Sequence, residues 1–381
     1  MGEYEPTMER GRGQGTLLYK LTTFAIRNSS TVTHNFNAGP SILPREVFEE
    51  ASRAILNFNG TGLSILEIGH RTPLFESVLA EASQTLRELM HLNSDKEILF
   101  LHGGASTQFF QVPMNLLNEE EMAAYLDCGV WGIKAIKEAK LFGQVDVIAS
   151  SKEQGYTCIP KNYTVPDNAR YFHFTTNNTI EGTEMFSIPD VNVPLVADMS
   201  SDILSQEMDF NRFGLIYAGA QKNIGAAGVN VVIVDKQMLG KVHRKMPSMM
   251  DYRLHIDNGS MLNTPPVFAI YVCLLTLRWV KNKGGIAAME TLNKAKAELL
   301  YNTLDAHPLF KPTVAKEDRS RMNVVFTMDD PEKEKKFQEA CKAANMVGVK
   351  GHRSVGGFRV SLYNALPMES VIALTDLIKS F

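Results

Sequence analysis

Two apolar runs near the middle of the chain, Phe213-Gly-Leu-Ile-Tyr-Ala-Gly219 and Val229-Asn-Val-Val-Ile-Val234, are separated only by Ala220-Gln-Lys-Asn-Ile-Gly-Ala-Ala-Gly228. Short runs rich in β-branched residues and bounded by glycine read as buried strands. Lys222 therefore falls in a tight turn between two such strands. That is a poor place for a solvated surface charge and a good place for a desolvated one. Desolvation lowers an amine's pKa and makes it nucleophilic. Upstream, Val193-Pro-Leu-Val-Ala-Asp198 ends a third strand on a carboxylate, with Met199-Ser-Ser201 behind it.

A lysine able to form a Schiff base and a carboxylate able to hold a protonated ring nitrogen are the two anchors of a pyridoxal phosphate (PLP) enzyme. Taken singly, each residue has a plainer reading. Asp before Ser-Ser suits a helix N-cap, and Lys beside Gly and Asn suits a solvated turn. The order strand-Asp, strand-Lys, glycine turn, strand favours the catalytic reading of the pair.

The rest of the chain alternates strand and helix signals. Pro44 to Phe58 has helical spacing, with Val47, Phe48, Ala51, Ala54, Ile55 and Phe58 on one face. Pro73 to Met90 is a second amphipathic helix. Glu97 to Leu101 is a strand, followed by His102-Gly-Gly-Ala-Ser106 and a helix through Phe110. Strands at 122–126 and 145–149 flank a helix at 131–139, and further strands follow at 171–175 and 195–197. This pattern predicts an α/β fold with a mainly parallel sheet covered on both faces. After about Val280 the pattern changes. Lys281-Asn-Lys-Gly-Gly285 breaks a long helix, and an α+β arrangement follows, suited to a smaller carboxy-terminal domain.

Several longer motifs carry a resemblance to a known family. Ala218-Gly-Ala-Gln-Lys-Asn-Ile-Gly225 resembles the lysine motif of the phosphoserine aminotransferase family, a class V branch of the fold-type I PLP enzymes. Asn35-Phe-Asn-Ala-Gly-Pro40, Glu67-Ile-Gly-His-Arg71, Tyr125-Leu-Asp-Cys-Gly-Val-Trp131, Asn258-Gly-Ser-Met-Leu-Asn-Thr-Pro-Pro266 and Lys350-Gly-His-Arg-Ser-Val-Gly-Gly-Phe-Arg359 resemble its other motifs in the same order. The resemblance spans about residues 34 to 381. It implies a large PLP-binding domain over 34–280, built on a sheet of the seven-stranded type, and a small domain over 281–381.

The resemblance also assigns roles. Lys222 is the Schiff-base lysine and Asp198 the partner of the ring nitrogen. Ala105 and Ser106 belong to the phosphate loop, where free N–H groups at a helix start suit an anion. The family has a phosphate-linked arginine where Ser106 stands, so this chain departs from the pattern there. Trp131 stacks on the ring, Thr179 bonds its phenolic oxygen, and Gln221 binds phosphate. Asn263 and Thr264 reach the cofactor phosphate of the neighbouring subunit. His70 and Arg71 likewise cross to the partner's site. Arg359 clamps the α-carboxylate, and His352 and Arg353 hold the distal anion. Arginine rarely sits in an apolar strand without an anion to meet.

The function implied is transamination between O-phosphoserine and 2-oxoglutarate, giving 3-phosphooxypyruvate and glutamate in serine biosynthesis. The homodimer has shared active sites, and a 4-phosphohydroxythreonine branch toward vitamin B6 stays open. Alternatives are another class V enzyme, such as a serine–glyoxylate transaminase or a cysteine desulfurase, or a catalytically inactive PLP-fold binding protein. A desulfurase needs a nucleophilic cysteine on a mobile loop, and Cys341 lies in a helical pattern. Intact Lys222 and Asp198 oppose the inactive reading.

Composition fits this class. A net charge of −3 shows no nucleic-acid footprint. No apolar run approaches the ~20 residues of a membrane span. Cys128, Cys158, Cys273 and Cys341 are scattered, which suggests neither a metal site nor a disulfide framework and fits a reducing, cytoplasmic setting. Residues 1–33 lie outside the family pattern. The acid-free stretch from Gly11 to Asn35 faintly resembles an organellar transit peptide. Glu3, Glu5, Glu9 and the scarcity of arginine favour a disordered or non-native extension instead.

Overall fold

The computed structural model describes residues 32–381, of which Thr33–Phe381 form one compact unit. Both readings of the amino-terminal extension fall outside the described residues, apart from its last two positions. The strands in chain order are β1 (His34–Asn35), β2 (Lys96–Leu101), β3 (Met122–Asp127), β4 (Gln144–Ser150), β5 (Phe172–Thr175), β6 (Leu195–Asp198), β7 (Phe213–Gly219), β8 (Asn230–Asp235), β9 (Lys311–Pro312), β10 (Asn323–Thr327), β11 (Met346–Val347) and β12 (Phe358–Ser361). The helices are α1 (Arg45–Leu56), α2 (Pro73–Leu89), α3 (Gly104–Leu116), α4 (Val130–Ala139), α5 (Tyr252–Asp257), α6 (Val267–Asn282), α7 (Gly285–Ala306), α8 (Pro331–Ala343) and α9 (Met368–Ser380).

Seven strands form the main sheet in the order β2-β8-β7-β6-β5-β3-β4. Pairings from β7 through β4 are parallel, and only β8 runs against its neighbours. This is the mainly parallel, seven-stranded sheet that the sequence pattern predicts and the family resemblance implies. Strands β5 to β8 are buried nearly throughout, as expected where helices cover both faces. Alternate residues feed two apolar clusters. Ala197, Ile216, Ala218 and Ile233 pack with α2 and α6 on one side. Val196, Leu215, Tyr217 and Val232 pack with α3 and α4 on the other. A three-stranded antiparallel sheet, β12-β10-β9, packs with α7, α8 and α9 into a third cluster. Phe36, next to β1, joins this third cluster, because β1 pairs with β11.

Two elements differ from the sequence reading. In α1, Val47, Ala51 and Ala54 are buried, but Phe48 is 51% and Ile55 38% exposed, so the apolar stripe is wider than the buried face. Helix α3 runs on to Leu116 through Pro113, six residues beyond the periodic signal, because buried Phe109, Val112 and Leu116 continue its inner face.

The parallel strands place their carboxyl ends on one edge. Thr175 ends β5 and Asp198 ends β6, and in register they pair side by side, with Tyr217 of β7 next in line. A crevice outside the carboxyl ends of parallel strands is where open α/β sheets bind ligands.

Candidate active site

At this edge lies a cavity of about 410 Å³. Gly103, Gly104, Ala105 and Ser106 form one wall, where β2 hands over to α3. Gly103 (φ 91°) and Gly104 (φ 64°) both adopt left-handed backbone. A Cβ on Gly103 would sit 1.9 Å from Thr107 Oγ1, so only glycine fits there. Helix α3 thereby opens its first N–H groups onto the cavity, the arrangement that favours anions.

Lys222 enters from the turn after β7 and is buried. Its Nζ donates to Thr179 Oγ1 at 2.6 Å. The turn is held from the amino-terminal motif: Ser41 Oγ donates to the Lys222 carbonyl at 2.6 Å, and Ser41 N to the Gln221 carbonyl at 2.9 Å. Burial pushes the Lys222 amine down to about 8, against the pull of Asp198 and Asp202. The strand-turn-strand expectation is met, and with it the desolvated amine.

Asp198 is buried at the end of β6 and lines the same cavity. Its Oδ1 accepts from Ser200 N at 2.9 Å and Ser200 Oγ at 2.6 Å. Burial raises its carboxyl above the usual range, opposed by the Ser200 bonds and the Lys222 charge. The segment after Asp198 is turns and not a regular helix, so a helix N-cap role does not account for it. Trp131, Thr179 and Gln221 complete this cavity's share of the residues singled out in the sequence.

An adjoining cavity of about 470 Å³ shares Gly39, Trp131, Thr179, Gln221 and Lys222 with the first. Lys134, His352, Arg353 and Arg359 line it, and no carboxylate does. Among the described residues none of these four basic side chains forms an ion pair. Burial and the positive charges of Arg359, Arg353 and Lys134 push the His352 imidazole down. Arg359 projects from β12, its Nη1 donating to the Thr179 carbonyl at 3.4 Å, while its buried Nε has no partner. Such a pocket suits a ligand that brings negative charge.

His70, Arg71, Asn263 and Thr264 line neither cavity of this chain. Arg71 is exposed, His70 Nε2 is buried without a partner, and the Thr264 carbonyl is 2.9 Å from His102 Nε2. The sequence reading missed Lys134, whose Nζ lies 4.4 Å from the Trp131 ring centre. Its signal was the i, i+3 spacing from Trp131 on α4. Ser200 was passed over as well, although a serine two residues after a strand-end aspartate suits a bond back to that carboxylate.

The chain belongs to the class-V aminotransferases, whose family model matches residues 33–374. It is 56% identical to the phosphoserine aminotransferase of Flavobacterium johnsoniae over 348 residues, which is 91% of this chain and 98% of that one. A solved structure of phosphoserine aminotransferase from Bacillus circulans subsp. alkalophilus superposes with a TM-score of 0.90 at 44% identity, covering 92% of this chain and 98% of that one. A PLP-bound phosphoserine aminotransferase from Trichomonas vaginalis superposes at 0.88 and 39% identity, covering 91% of this chain and 100% of that one. Within the class, the chain belongs to the phosphoserine aminotransferase family, and the enzyme is a transaminase.

Proposed function

We propose that the enzyme exchanges the amino group between O-phosphoserine and 2-oxoglutarate, giving 3-phosphooxypyruvate and glutamate, in the cytoplasmic synthesis of serine. The observation that carries this reading is the junction of two cavities. One holds a buried amine and a buried carboxylate, and the other holds four unpaired basic side chains. A phosphorylated amino acid offers an anion at each end, which this second cavity suits. 4-Phosphohydroxythreonine carries the same two anions and fits the same reading.

The residues fit pyridoxal 5′-phosphate. Trp131 Nε1 and Thr175 Oγ1, both in cavity-lining residues, are buried polar atoms without partners. Asp198 is a buried carboxylate in want of a positive partner, and the glycine wall presents N–H groups. In this reading Ala105, Ser106 and Gln221 hold the cofactor's phosphate, Trp131 covers its ring, Thr179 bonds its phenolic oxygen, and Asp198 meets its ring nitrogen. When bound, PLP supplies an electron sink for the charge left on the substrate carbon. Lys222 Nζ, which lines both cavities, would take the proton from that carbon. Arg359 holds the α-carboxylate and thereby aims the Cα–H bond at Lys222. His352, Arg353 and Lys134 hold the phosphate end.

The same reading divides the chain into a cofactor-binding domain, 34–280, and a smaller domain, 281–381, with Phe36 reaching across into the latter's core. It also makes the active unit a homodimer. Exposed Phe48, Leu56, Leu63 and Leu66 form an apolar stretch of sequence leading up to His70 and Arg71, which suits a covered surface. A second copy there would deliver His70, Arg71, Asn263 and Thr264 to sites they do not reach within one chain.

Assaying the purified enzyme with glutamate and 3-phosphooxypyruvate tests the substrate. Phosphoserine is expected to be strongly preferred over alanine, and Arg71→Ala to lower kcat/KM for phosphoserine far more than for alanine. Each charge-assisted bond is worth about 1.5–3 kcal/mol, so loss of the family's arginine at Ser106 leaves enough cations for selectivity. Equal efficiency with alanine and phosphoserine would overturn the substrate and leave the fold intact.

Subunit sharing has its own test. Arg71→Ala chains mixed with Lys222→Ala chains should regain activity, since each heterodimer assembles one intact site. Absence of recovery after confirmed subunit exchange would count against sharing.

A further inference from the structure

Asp198 is backed by a row of rings that line neither of the two cavities. In the parallel register, Thr175, Asp198 and Tyr217 stand side by side on β5, β6 and β7, so their side chains share one face. His173 lies two residues before Thr175 on the same face, beside Tyr125 of β3. All three rings are buried. The His173 ring stacks between Tyr125 (4.7 Å between centroids, 24° between planes) and Tyr217 (5.9 Å, 26°). His173 Nε2 lies 2.9 Å from the Tyr217 hydroxyl. The register sets Tyr217 directly beside Asp198 on this shared face, and its presence lowers the carboxyl's hold on a proton. The Tyr125 hydroxyl is anchored on the Tyr171 hydroxyl at 2.8 Å, which holds the plane against which His173 stacks.

We infer that Tyr217 and His173 are positioning residues for the reaction, forming a one-way hydrogen-bond chain that keeps Asp198 ionised and aimed at the cavity. The direction follows from what each group has to give. An ionised carboxylate only accepts, so the Tyr217 hydroxyl must spend its single proton on Asp198. Its oxygen then has only lone pairs left for His173, so Nε2 must carry the imidazole proton. Nδ1 is left bare, and it is a buried atom without a partner. Burial pushes the His173 imidazole down to about 3, so the ring is neutral and a single tautomer suffices. Neither ring lines the cavities, so both act through Asp198 and neither touches the substrate.

The chain opposes a specific cost. Burial favours the protonated, neutral carboxyl, which is useless as a partner for a cationic ring nitrogen. Ser200 supplies two donors and Tyr217 a third. The His173 bond into the phenol oxygen polarises the Tyr217 O–H and strengthens its donation.

The inference rests on the reading of Asp198 as the ring nitrogen's partner, and the test separates the two. In the wild-type enzyme with ¹⁵N-labelled histidine, His173 is expected as the neutral Nε2–H tautomer. An Nδ1–H tautomer or an imidazolium overturns the chain without recourse to any variant. Tyr217→Phe is expected to weaken pyridoxal phosphate binding by the full-length apoenzyme about tenfold to hundredfold, read by tryptophan fluorescence. His173→Leu should weaken it less, and His173→Gln should restore most of the loss, because its amide also donates. Unchanged affinity in a folded Tyr217→Phe enzyme, with Asp198→Asn weakened, sinks the chain and spares the Asp198 reading. Unchanged affinity in Asp198→Asn as well sinks both. If Tyr217→Phe does not fold, the tautomer of His173 decides.

Discussion

Lys222→Ala should abolish transamination while leaving the fold intact. On the proposed reading, the lysine's proton transfer alone is the kind of step worth ~10²–10⁴ in rate, and the variant also loses the amine that would attach the cofactor. No substitute is at hand. Of the other basic groups at the junction, Lys134 lies over Trp131, and Arg353 and Arg359 offer guanidinium groups in place of an amine. Borohydride treatment of the wild type should leave the cofactor's mass on the peptide containing Lys222, and mapping of that mass to another lysine would remove the assignment. The pH dependence carries a sign. The free amine is the nucleophile, and burial holds Lys222 near 8 against an ordinary value of 10.5. Attachment of pyridoxal phosphate to the apoenzyme should therefore accelerate as pH rises through about 8. At pH 7 about a tenth of the amine is already neutral, where an ordinary lysine has less than about one in a thousand. A rate that keeps climbing toward pH 10 would mean that the amine is not desolvated.

The elements that made this site legible are those whose constraint is local. Lys222 sits where two apolar runs force a turn, and both runs became strands at the expected positions. Gly103-Gly104 announced a helix start because left-handed backbone followed by a helix leaves few other solutions. Cys341, which a desulfurase would need on a loop, is buried in α8. What stayed hidden depends on neighbours across the sheet. His173 reads as an ordinary residue in a buried strand, and its meaning appears only once register sets it between Tyr125 and Tyr217. Lys134 reads as one of two lysines on α4, and only the approach of β12 and the 352–354 loop gives it company. The exposure of Phe48 escaped the helical pattern for the opposite reason. Periodicity reports that a face is apolar, and it does not report whether this chain or a second one covers it.

Asp198→Asn should lose about 10²–10³ in turnover, the usual effect of removing one preorganised electrostatic contact from a reacting centre. The change costs almost no volume. Asparagine can still accept from Ser200 through its amide oxygen, so a residue that merely ordered this turn would tolerate it. On the proposed reading, what is lost is the negative charge that would face the ring nitrogen. Stability should move the other way. Burial raises the Asp198 carboxyl above its unfolded value. A group shifted in that sense favours the folded chain at low pH and costs stability as pH rises through its folded value. Removing it should leave the apoenzyme's melting temperature at pH 8 unchanged or higher. The lysine responds too. Asp198 is the largest influence holding the Lys222 proton in place, so in the variant the amine should become neutral at lower pH, and cofactor attachment should shift downward with it. The variant is thus expected to bind the cofactor more weakly, to attach what it binds at lower pH, and to turn over poorly. Near-normal turnover would return Asp198 to a structural role, and an unshifted pH dependence of attachment would mean that its charge does not act on Lys222.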